Sequence, residues 1–113
     1  MTKVPDEVIR LAVRICKKSE MRQQMAAVIY DNNHNIINVG YNRWLVKRSP
    51  RSTTNFIRYS IHAEIDALRG CSRRELWGAN IYIHRNNGKL AKPCVNCTKI
   101  LTKYGISNVY WSG

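Results

Sequence analysis

With 113 residues and a hydrophobic share of 44%, the chain has room for one domain around one core and is too apolar to be a disordered segment. A net charge of +12 favours polyanionic partners or phosphorylated small molecules, unless it only solvates the surface. No apolar run reaches membrane-spanning length, and the charged opening "MTKVPDEVIR" lacks the apolar core of a secretory signal, so a cytoplasmic protein is expected.

In chain order, residues 5–18 ("PDEVIRLAVRICKK") place Val8, Leu11, Ala12 and Ile15 at helical spacing, with Pro5 and Asp6 as start residues and Lys17 and Lys18 at the end. This predicts an amphipathic packing helix with Cys16 in or beside its buried stripe. Next come "MAAVIYD" (25–31) and "NIINVGY" (35–41), short apolar runs around turn residues, which predict an antiparallel hairpin with His34 at a solvated tip. Residues 42–60 read as a long polar connection in which Arg43, Lys47, Arg48, Arg51 and Arg58 alternate with Trp44, Phe56 and Tyr59. Such a segment suits either the tracking of a nucleic-acid strand or an ordinary surface loop with its aromatics turned inward.

A helix is expected from about Ile61 to Leu68, stopped by Gly70. A third strand over Ala79–Arg85, a loop "NNGKLAK", a helix from about Cys94 to Tyr104 stopped by Gly105, and a fourth strand over Ser107–Ser112 complete the chain. The closing strand–helix–strand predicts a right-handed crossover and a parallel pair. The expected fold is therefore a three-layer α/β/α arrangement with a mixed sheet of about four strands, in a single domain over 1–113. Such folds put their sites at helix N-termini beside the carboxyl ends of strands.

Two helix starts carry chemistry. His62 and Glu64 are two residues apart, about 200 degrees around a helix, so they converge only on a target just beyond its first turn. Cys94 and Cys97 are three apart, on one helix face, behind Pro93. With four cysteines and no secretory signal, metal binding or burial is expected before disulfides. Two thiolates and an imidazole would balance the charge of a zinc ion and leave its fourth position open to water. Glu64 would then take and pass on a proton. A closed structural zinc site remains open as an alternative, with Cys71, His84, His34 or Cys16 as fourth donor; a redox cysteine pair fits less well, because it leaves His62 and Glu64 without a part.

"HAE" (62–64) together with "PCVNC" (93–97) resembles the zinc-dependent cytidine and deoxycytidylate deaminase superfamily. The resemblance runs from the hairpin through the fourth strand. It implies a zinc cofactor held by His62, Cys94 and Cys97, with Glu64 as the catalytic proton shuttle. It also implies substrate contacts from Asn42 in "GYNRW" and from the backbone of Ala63. The implied reaction is hydrolysis of cytosine to uracil in a free nucleoside or nucleotide such as cytidine or dCMP. Lys92, where adenosine-specific relatives carry an acid before the proline, leans toward cytosine. Because the chain ends after "VYWSG", a bare edge strand is expected, and with it a homo-oligomer and an open pocket. The charge and the 42–60 segment keep two alternatives in play: a deaminase of cytosine in single-stranded DNA or RNA, and a non-catalytic zinc-containing nucleic-acid-binding module. Trp44, Trp77 and Trp111 are expected to pack more often than to stack on a base, with Trp111 the best stacking candidate of the three.

Overall fold

The computed structural model describes residues 4–48 and 56–113. Helix α1 (Asp6–Cys16) follows Pro5, with Asp6 and Glu7 in its first turn and Arg14 in its last, charges that complement the helix dipole. Its predicted stripe is buried at Val8, Ala12 and Ile15, with Cys16 beside it. Strands β1 (Met25–Tyr30) and β2 (Ile36–Tyr41) form the expected antiparallel hairpin. The Asp31 carboxylate accepts the Asn33 and Asn35 backbone N–H groups at 2.9 Å each, which closes the turn with His34 exposed and left-handed at φ 68.

The next segment corrects the reading of 42–60 as one long loop. Strands β3 (Arg43–Arg48) and β4 (Phe56–Ile61) pair antiparallel, Arg43 opposite Ile61, as a ribbon of their own; the residues between them, Arg51 included, lie outside the described ones. Charge hid the strands: basic residues flank the short "WLV" run, although Trp, Val, Ile and Phe favour pleated backbone. Ile61 ends β4, so helix α2 (Ala63–Leu68) begins two residues later than predicted, with His62 as its N-cap. A short helix that the sequence reading lacked, α3 (Arg73–Leu76), starts at Ser72. There the Ser72 hydroxyl accepts the Glu75 N–H, and the Glu75 carboxylate accepts the Ser72 N–H. Strand β5 (Asn80–Arg85), helix α4 (Val95–Lys103) and strand β6 (Asn108–Trp111) complete the order.

Among the described residues the main sheet runs β2-β1-β5-β6, antiparallel except for the parallel β5–β6 pair, so it is mixed, as predicted. Alternation along β1 sorts the two outer layers. Val28 and Tyr30 pack with Val8 and Ala12 of α1, whereas Ala27 and Ile29 pack with Ala63 and Ala67 of α2 and Leu101 of α4. The sheet is thus covered on both faces, a three-layer α/β/α fold, and the starts of α2 and α4 lie on the same side of it.

Candidate active site

His62 leaves the end of β4 in an extended conformation, φ −73 and ψ 150, and caps α2. Cys94 does the same for α4, φ −70 and ψ 166, behind Pro93, and its sulfur accepts the Cys97 backbone N–H at 3.4 Å. One turn further in, Cys97 is buried, and its Sγ lies 3.2 Å from His62 Nδ1. The donor atoms of His62, Cys94 and Cys97 all fall within 4.8 Å of one another, and no fourth His, Cys, Asp or Glu joins that group among the described residues. A tetrahedral zinc with Zn–S near 2.3 Å and Zn–N near 2.0–2.1 Å sets neighbouring donors about 3.5 Å apart, so the spacing fits.

The alternative fourth donors stand elsewhere. Cys71 hydrogen-bonds Ala67 O at 3.6 Å, Cys16 approaches His84 O at 4.0 Å, His84 Nδ1 meets the Tyr82 hydroxyl at 3.0 Å, and His34 faces Glu7.

Electrostatics divide the two sulfurs. The Cys97 N–H holds the Cys94 thiol below its ordinary value, whereas burial, with Glu64 next, pushes the Cys97 thiol up to about 12. A buried thiol lacking a countercharge is the kind of group that a divalent cation deprotonates. Glu64, in the first turn of α2, is only 3% exposed, and burial raises its carboxyl above the usual range against the opposing pull of its own backbone N–H and of His62. A carboxyl so placed is suited both to accept and to donate a proton.

His62, Ala63, Glu64 and Cys94 line a cleft of about 590 Å³ together with Asn42 and Trp44, and Glu20, Arg22 and Lys92 also line it. Cys97 sits behind this surface, against His62. Asn42 is buried and clamps the backbone: its Oδ1 accepts the Met25 N–H at 2.8 Å and its Nδ2 donates to Gln23 O at 2.6 Å. One N–H and one lone pair of the side chain are left over. Trp111, expected near the site, instead lines a separate groove with Tyr82 and His84. Among the described residues the cleft is lined by the aromatic Trp44, expected from the sequence in a basic-aromatic loop and more often packing than stacking; recognising β3 would have placed it.

Against this geometry, the sequence matches the family described as the cytidine and deoxycytidylate deaminase zinc-binding region over residues 2–112. The chain belongs to this deaminase family. A deoxycytidylate deaminase of Mycobacterium phage D29 is 35% identical over 52 residues, a stretch covering 46% of this chain and 36% of that relative, so the likeness spans about a third of the relative's length. The dCMP deaminase of cyanophage S-TIM5 superposes with a TM-score of 0.63 over 94% of this chain and 79% of that one, at 20% identity. Cytidine deaminase from Mycobacterium tuberculosis gives 0.60 over 96% and 83%, at 14% identity. At such identities these two likenesses concern the fold, and they agree with the mixed sheet described above. The family is zinc-binding, and His62, Cys94 and Cys97 are the grouped donors that could hold the ion in this chain.

Proposed function

We propose that the chain is a single zinc-dependent deaminase domain that hydrolyses cytosine to uracil in a free nucleoside or nucleotide, with deoxycytidylate as the leading substrate. The observation that carries this reading is the meeting of His62, Cys94 and Cys97 at two helix ends, three donors without a fourth among the described residues, beside the buried carboxyl of Glu64. Zinc in such a donor set supplies Lewis-acid activation of water. In the reaction the water oxygen bonds to the ring carbon that carries the exocyclic amine, and the carbon–nitrogen bond breaks. A Glu64 carboxylate oxygen takes one water proton to the ring nitrogen beside that carbon and then the second to the exocyclic amine, which leaves as ammonia while the oxygen becomes the carbonyl of uracil. Ala63, at the first position of α2, offers backbone to the base. Asn42, held by residues 23 and 25, offers its remaining polar atoms to the base or sugar. Arg22 and Lys92, both lining the cleft, are the cations available to a phosphate, and the name of the phage relative agrees with a nucleotide.

A second reading, cytosine in single-stranded DNA or RNA, draws on the +12 charge and on Trp44, 47% exposed at the cleft, where a neighbouring base could stack. Incubation with deoxycytidylate, cytidine and a cytosine-containing single strand, followed by analysis for the uracil product, separates the readings. The expected result is conversion of the free monomers, deoxycytidylate foremost. Conversion of the strand alone would favour the second reading. Zinc and salt-sensitive strand binding without any conversion would leave a non-catalytic binding module.

A further inference from the structure

Asp66, in the second half of α2, is a buried carboxylate outside the cleft. Its Oδ2 accepts the Tyr41 backbone N–H at 3.1 Å, and its Oδ1 accepts from Arg43 Nη2 at 2.7 Å. Arg69 stands further off at 3.9 Å, and the Arg43 guanidinium lies 5.6 Å from the centre of the Tyr41 ring. Tyr41 ends β2 and Arg43 begins β3, so one carboxylate grips both neighbours of Asn42. Through its own backbone the same residue reaches the helix start, where the Asp66 N–H donates to His62 O at 2.9 Å.

The ribbon makes this arrangement consequential. Among the described residues, strands β3 and β4 are not ladder-bonded to the main sheet, and the chain joins them to the rest of the fold at Asn42 on one side and at His62 on the other. Both junctions line the cleft. Trp44 is carried by this ribbon, and the Arg43–Asp66 pair braces one junction against the other, since the Asp66 N–H also bonds His62 O. A buried carboxylate is costly unless paired, and an apolar side chain would fill a junction whose only task was packing.

We propose that Asp66 and Arg43 are a positioning pair that fixes the Asn42–Trp44 wall of the cleft relative to the metal-binding end of α2, and so governs how tightly substrate is held. Its kinetic consequence rests on the deaminase reading; its mechanical consequence does not. Arg43→Gln removes the brace but keeps the Asp66–Tyr41 bond, Arg43→Lys keeps charge without the planar fork, and Asp66→Asn keeps shape. For each variant, zinc content, hydrogen exchange at the Asn42 N–H (bonded to Met25 O at 3.1 Å) and the steady-state constants are measured. With Arg43→Gln, zinc content should be unchanged and Asn42 exchange about tenfold faster, with KM raised about tenfold and kcat within about threefold; Arg43→Lys should fall between it and wild type. Lower thermal stability with unchanged KM and unchanged Asn42 exchange would overturn the proposal, and so would loss of zinc alongside the KM change, which would make the pair a support of the metal site. If wild type converts no cytosine compound, the deaminase reading falls by itself, and Asn42 exchange still decides the pair: faster in Arg43→Gln upholds it, unchanged rejects it.

Discussion

Burial pushes the Cys97 thiol up to about 12, so in the metal-free protein it carries its proton at neutral pH. Zinc binds the thiolate and must displace that proton. The sign follows directly: lowering the pH restores the competing proton, so zinc affinity should fall by at least about tenfold per pH unit through the neutral range. Chelator competition at several pH values checks this, and an affinity independent of pH would contradict it. The donors themselves were legible in the sequence as a Cys-x-x-Cys pair and a histidine at two helix starts, although His62 and Cys94 are extended N-cap residues and not positions on a helix face, so helical spacing did not place them. Asn42 entered only as a substrate contact that the resemblance implies. Its clamp on Gln23 and Met25 is set by tertiary proximity, to which no local pattern corresponds.

Six residues make a poor helix by themselves, and α2 depends on β2 for its place. Asn38 Nδ2 donates to Ala67 O at 2.8 Å and to Arg69 O at 3.1 Å, satisfying carbonyls at the helix end. Gly40 lets the strand approach so closely that an added Cβ would lie 2.3 Å from Ala67 N and 2.7 Å from Ala63 O. Those atoms are backbone and cannot rotate away. Gly40→Ala is therefore expected to cost about 3 kcal/mol or more in urea unfolding, with the helix start displaced; a loss below about 0.5 kcal/mol would mean that the approach is not tight. Hairpin, parallel pair and helices α1, α2 and α4 were readable because apolar periodicity and glycine stops mark them, whereas the single turn of α3 carries neither signal. The ribbon was not, since its strands are short and flanked by basic residues, and the same charge pattern describes a solvated loop.

Across the whole molecule, the exposed edge of the sheet bears on association. No helix among the described residues is long and apolar enough to cross a membrane. Strand β6 lies at the edge of the described sheet, with Trp111 40% exposed upon it and Leu90 57% exposed in the segment before α4. Unpaired backbone beside apolar side chains favours association, so sedimentation at micromolar concentration should find a homo-oligomer; a monomer at all concentrations would contradict that. The layered architecture was legible from element order alone, whereas the two grooves were not, because Trp44 and Trp111 could be assigned to them only once the ribbon and the strand register were known. The account stands most directly on zinc content and turnover measured together in Glu64→Gln. It predicts about one zinc per chain, as in wild type, with kcat reduced by about 10²- to 10⁴-fold toward the best cytosine substrate. Turnover at the wild-type rate, or a wild-type protein that binds no zinc through His62, Cys94 and Cys97, would contradict it.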